Sequence, residues 1–173
     1  MIYGYFYGDC PAIEAAVSLQ VPNRGGEVFG GDVLFLIDTG SPYTILFPPA
    51  TNEMSVQDPP KRAGLTVQSE LADLTRVEIE GFGGGKQEVC FAKGSISFSD
   101  GQSIQPVTFD LVFCVAMPTD ENKECLSLLG RNVLRLLHMC YWCRTEETPL
   151  NLRFTTSKEP PPCCPKPWPP SLG

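Results

Sequence analysis

An all-β fold follows from three features of this sequence. Strand-period alternation recurs along most of its length, turn-forming residues punctuate it, and one short stretch alone has helical spacing. The chain has 173 residues, enough for one domain core and too few for two independent ones. Its 17 prolines and 16 glycines favour short strands joined by turns over long helices.

Each element follows in order. Ile13, Ala15, Val17, Leu19 and Val21 alternate with Glu14, Ser18 and Gln20, the period of a strand with one buried face. Residues 23–26 (Asn-Arg-Gly-Gly) form a turn, and the apolar run 33–37 (Val-Leu-Phe-Leu-Ile) reads as a strand buried on both faces. Residues 47–73 carry two Pro-Pro pairs and read as loop with at most one short helix. Val77 and Ile79 alternate with Glu78 and Glu80 and lead into a Gly-rich segment at 81–85. Ile96 and Phe98 alternate with Ser95, Ser97 and Ser99, and Asp100-Gly101 marks a hairpin turn before a strand at 107–115. After Gly130, the residues Val133, Leu134, Leu136 and Leu137 recur at helical spacing over about two turns. Residues 139–143 and 150–154 read as a terminal hairpin. Seven prolines in 157–173 preclude a packed core there, so the domain is expected to be 1–156 and the remainder a Pro-rich flexible tail.

Composition removes several function classes. The net charge of -7, with no basic stripe carrying interleaved aromatics, argues against nucleic-acid binding, which requires neutralised phosphates. The longest apolar run is far too short to span a bilayer, and the N-terminus lacks the basic and apolar regions of a secretory signal. Eight cysteines do not space like a compact disulfide framework. Cys90 and Cys114 fall in apolar strand segments, where a reduced thiol acts as a small hydrophobe. Cys140 and Cys143 match C-x-x-C, but with one histidine in the chain and no second such motif a zinc site is disfavoured. A cytoplasmic protein with reduced thiols, no metal and no membrane partner is the expectation.

The residues that point to chemistry begin at Asp38-Thr39-Gly40, directly after the apolar run. An acid there is no casual surface carboxylate, because burying a charge without partners is costly. As a strand-end turn the triplet alone would be unremarkable. Its context is informative: residues 35–41 (Phe-Leu-Ile-Asp-Thr-Gly-Ser), 81–85 (Gly-Phe-Gly-Gly-Gly) and 128–134 (Leu-Leu-Gly-Arg-Asn-Val-Leu) follow one another in that order. In this the chain resembles the retropepsin-like aspartic proteases over about residues 13–154, with a terminal hairpin more like the bacterial members of that family. The resemblance implies a closed β-barrel lobe with one short C-terminal helix.

It also implies roles. Asp38 corresponds to the catalytic carboxylate, Thr39 to a hydrogen-bonding residue at a dimer axis, and Gly40 to a point of close substrate approach. Gly81, Phe82, Gly83 and Gly84 would form a flap over a bound peptide, with Ser41 also on the substrate side. Leu128, Leu129, Gly130, Arg131 and Asn132 would brace the active-site loop. The chemistry needs two carboxylates sharing a proton. The chain has one such triplet, so the resemblance implies a homodimer acting on a peptide or protein substrate without cofactor. A Ser41 hydroxyl donating to the ionised carboxylate would favour the charged form and move the active pH window towards acid. One departure stands out: Pro42 occupies the place where viral relatives carry an Asp that pairs with the arginine matching Arg131. A catalytically silent dimerisation or peptide-binding domain on the same fold is the rival reading.

Overall fold

Alternating side chains do build this molecule. The computed structural model of the chain describes residues 2–20, 28–56, 66–71, 74–80, 85–99, 106–142 and 151–155, with 138–142 and 151–155 described as backbone alone. The described residues form an all-β structure of eleven strands with three short helices. The strands are β1 (Ile2–Tyr7), β2 (Cys10–Gln20), β3 (Val28–Ile37), β4 (Ile45–Leu46), β5 (Ser55–Val56), β6 (Arg76–Glu80), β7 (Lys86–Phe98), β8 (Val107–Ala116), β9 (Ser127–Leu129), β10 (His138–Trp142) and β11 (Asn151–Thr155). The helices are α1 (Pro48–Glu53), α2 (Val67–Glu70) and α3 (Arg131–Leu134).

Hydrogen-bonded neighbours follow the path β10-β11-β1-β2-β3-β9-β4-β8-β7-β6, and an additional β2–β7 pairing joins strands five steps apart on it. That pairing closes a ring, β2-β3-β9-β4-β8-β7. The closure requires a tight crossing: a Cβ on Gly94 would lie 2.1 Å from the Ser18 carbonyl oxygen, so only glycine fits opposite Leu19. Inside the ring, Phe29, Phe35, Phe98 and Phe113 pack with Ile13, Leu19, Leu46, Ile96 and Leu129, all fully buried. Burial of such a side chain contributes roughly 1.5–3 kcal/mol against an exposed one.

The alternation in β2 behaves as the sequence predicts for Ile13, Ala15, Val17 and Leu19, which face the core, and for Glu14 and Gln20, which face water. Ser18 is half-buried where β2 meets β7, and Val21 and the turn at 23–26 lie outside the described residues. The terminal hairpin forms as β10 and β11, and β11 pairs in turn with β1. β7 and β8 pair from Val89↔Ala116 to Phe98↔Val107, as the reading around Asp100-Gly101 requires, although that turn lies outside the described residues.

Three expectations need correction. The run 33–37 is fully buried on one face alone: Val33 and Phe35 point into the core with Ile37 half-buried against it, while Leu34 and Leu36 are half-buried on the other face. The segment 47–73 holds two short helices and β5 in its described part. The helix after Gly130 is a single turn, because Leu136 turns outward (42% exposed) and the chain enters β10 at His138. Only Val133 and Leu137 of that apolar set are buried, so the spacing came from a turn leading into a strand. Among the described residues no helix is long and apolar enough to cross a membrane.

Candidate active site

The ring places one carboxylate at a crossover. β9 lies between β3 and β4, parallel to β3 (Phe35↔Ser127, Ile37↔Leu129) and antiparallel to β4 (Ile45↔Leu128). The loop 38–44 must therefore straddle β9, spanning two strand spacings of about 4.8 Å each. Asp38 opens this loop. Its N–H donates to the Leu129 carbonyl at 3.1 Å, extending the β3–β9 pairing by one residue and fixing where the side chain starts. Asp38 Oδ1 accepts from the Gly40 N–H at 2.8 Å, while no hydrogen bond engages Oδ2 among the described residues. A Cβ on Gly40 would lie 3.1 Å from that same Oδ1, tight enough to disturb the acceptor.

Thr39 is exposed at the loop tip, and no side-chain hydrogen bond engages it among the described residues. Ser41 is buried, and its hydroxyl donates to the Tyr43 carbonyl at 2.7 Å. This corrects the expectation that it donates to the carboxylate. The loop folds back on itself at Pro42, and the nearest acceptor for Ser41 is the backbone two residues on. The Tyr43 ring stays largely exposed and meets Phe91 edge-on at 5.3 Å.

The segment 128–132 braces this loop from beneath. Gly130 passes so close that a Cβ there would lie 2.1 Å from the Tyr43 carbonyl oxygen and 2.9 Å from the Thr44 nitrogen. Its backbone φ of -91° suits any residue, so contact rather than conformation demands glycine. The Arg131 N–H donates to the Ser41 carbonyl at 2.9 Å, and the Arg131 side chain is exposed. Leu129 is fully buried, and Leu128 is half-buried on the cleft.

The residue at the centre of the brace is Thr44, which the sequence reading did not single out. It is fully buried. Its hydroxyl donates to Asn132 Oδ1 at 2.8 Å and accepts the Gly130 N–H at 3.2 Å, and its carbonyl accepts the Cys114 N–H at 3.0 Å. Asn132 Nδ2 reaches the Val112 carbonyl at 3.4 Å. With Pro42 in place of an acid, this neutral network holds the loop without an ion pair. A Thr six residues after the Asp, beside the Gly-x-Asn of the later segment, was the available signal.

Asp38 lies on a cleft of about 470 Å³. Gly40, Ser41, Tyr43, Ile45, Phe47 and Leu128 line it from the Asp38 loop, the β4 segment and β9, and Ile79, Lys86, Gln87, Glu121 and Cys125 line it from β6, β7 and the loop that precedes β9. The lining is mostly apolar, with Asp38, Glu80, Lys86, Gln87, Glu121 and Asn122 as its charged and amide groups. Gly81, Phe82, Gly83 and Gly84 lie outside the described residues, as do the tail and the Cys140–Cys143 side chains. The strands flanking 81–85 pair antiparallel up to Glu80↔Lys86. Elsewhere, burial raises the Cys90 thiol and pushes Cys114 up to about 12, marking both as core thiols. Among the described residues no three His, Cys, Asp or Glu side chains gather as a metal site.

No family model, curated protein or solved structure matches the chain.

Proposed function

We propose that the chain is an aspartic endopeptidase of retropepsin-like type, with its dyad formed by Asp38 of two copies. One observation carries the reading: Asp38 stands at the end of β3 in a loop that straddles β9, one carboxylate oxygen tied to Gly40 and the other without a partner among the described residues, on a mostly apolar cleft. That is the geometry in which a carboxylate meets a bound water. An ionised Asp38 takes a proton from the water, whose oxygen attacks the scissile carbonyl carbon. The protonated partner Asp38 donates to the carbonyl oxygen. Proton transfer to the peptide nitrogen then lets the C–N bond break. Thr39, exposed beside Asp38, is available to a second copy across a twofold axis.

The test is Asp38→Asn in a peptide-library cleavage assay across pH, with and without pepstatin. Replacing the single triplet removes both dyad members, while the near-isosteric amide still accepts from the Gly40 N–H, so activity should vanish with the fold intact. Residual activity above about a hundredth of wild type would assign the chemistry elsewhere. A wild type that cleaves nothing would favour the silent binding domain.

A further inference from the structure

Asn122 is buried to 4% exposure in a loop, where an unpartnered amide would cost several kcal/mol. Its side chain is fully engaged. Nδ2 donates to Gln87 Oε1 and to the Met117 carbonyl, both at 2.8 Å, and Oδ1 accepts the Thr119 N–H at 2.9 Å. Gln87 is equally committed: Nε2 donates to the Met117 carbonyl at 3.1 Å and to the Glu88 carbonyl at 2.9 Å. The two amides thus share one acceptor and fix each other's orientation, since turning either over would set oxygen against oxygen.

The pair joins two parts of the cleft. The β7–β8 ladder ends at Val89↔Ala116, and one backbone bond, from the Met117 N–H to the Glu88 carbonyl, continues it. Beyond that point, Gln87 and Asn122 hold the 117–125 loop against the foot of β7. The loop is stiffened internally by the Asn122 N–H on Thr119 Oγ1 and the Cys125 N–H on the Asn122 carbonyl. It then feeds β9, the strand beneath the Asp38 loop. Gln87, Asn122, Glu121 and Cys125 all line the cleft. The Asp38 loop has its own fastenings, through Leu129, Gly130, Arg131 and Asn132, and shares none with this pair.

Building on the peptidase reading, we propose that Asn122 and Gln87 are positioning residues that clamp the side of the cleft formed by β7 and the 117–125 loop and set its place relative to Asp38. Loss of the clamp loosens the grip on a peptide and leaves the dyad in place. Binding therefore weakens and the chemical step persists.

Full-length Asn122→Ala and Gln87→Ala are compared with wild type in three measurements. Hydrogen exchange should quicken about tenfold or more at amides 86–88 and 119–126, with those of the 38–44 loop unchanged. Calorimetry should show pepstatin binding weakened about tenfold. On a peptide that wild type cleaves, KM should rise about tenfold with kcat held within about twofold. If Asn122→Ala does not fold, Gln87→Ala decides, because its half-buried side chain carries the same clamp from the strand side. Unchanged exchange in Gln87→Ala, or kcat falling as far as kcat/KM, overturns the proposal. A wild type that neither binds pepstatin nor cleaves overturns the peptidase reading instead, and the exchange data then judge the clamp alone.

Discussion

Replacing Thr44 with valine tests the neutral brace directly, because the two side chains have nearly the same shape. The change deletes one oxygen from a fully buried site. It removes the bond to Asn132 Oδ1 and leaves the Gly130 N–H without its acceptor. Gly130 is buried as well, so water cannot take over. An orphaned buried donor costs about 1–3 kcal/mol. Asn132 is half-exposed and recovers a solvent partner, so its lost bond adds about 0.5–1 kcal/mol at most. The expected destabilisation is about 1.5–4 kcal/mol, or a Tm lowered by about 3–16 °C for a domain of this size. Thr44→Ser keeps the hydroxyl and loses one buried methyl, about 1 kcal/mol. Urea titrations followed by tryptophan fluorescence measure all three proteins. The decisive quantity is the gap between Val and Ser. Were Thr44→Val no less stable than Thr44→Ser, the hydroxyl would not be holding the loop.

Other consequences can be checked alongside. If two copies supply the dyad, specific activity should fall on dilution through the dimer dissociation constant; a species that sediments as a monomer at full specific activity would contradict this. Ser41→Ala should leave both limbs of the kcat/KM pH profile superimposable with wild type and cost about 0.5–1.5 kcal/mol of stability, since its hydroxyl serves the Tyr43 carbonyl; a limb displaced to higher pH would restore the carboxylate role. The Cys114 thiol keeps its proton in the fold up to about pH 12, whereas the unfolded thiol loses it near 9.0. Its contribution is complete below that lower value and is lost as pH rises towards the upper one, so denaturant midpoints should drop across this window and drop less in Cys114→Ala. Mass mapping with iodoacetamide at neutral pH should label exposed Cys10 well before Cys90 or Cys114.

Period-two patterning made much of the sheet legible and misled in identifiable places. β2 was readable because its outward positions carry Glu14 and Gln20. β1 was not, although Tyr3, Tyr5 and Tyr7 alternate along it: these outward positions hold tyrosines that are exposed, so apolar against polar gave no contrast. The β2–β7 closure was invisible for another reason. It depends on Gly94 meeting Ser18, two unremarkable residues far apart in sequence, and alternation carries no information about which strands pair. The single-turn α3 shows the converse, since Val133 and Leu137 four apart look helical whether or not the chain between them continues as helix.

At the site, the sequence located Asp38 but not what holds it. The triplet and its apolar approach identify a constrained acid, because each feature is local. The brace is a contact between residues 86 and 88 positions apart, from Gly130 to Thr44 and from Thr44 to Asn132. The absence of an acid at Pro42 pointed to a missing ion pair without saying what replaces it. A buried charge pair is costly to desolvate and tends to break even against a well-packed neutral alternative. A threonine hydroxyl that both donates and accepts satisfies two groups within one small side chain, with no ionic desolvation. The loop's support in this chain should therefore respond little to salt, which weakens exposed ion pairs, and strongly to the loss of a single oxygen at Thr44.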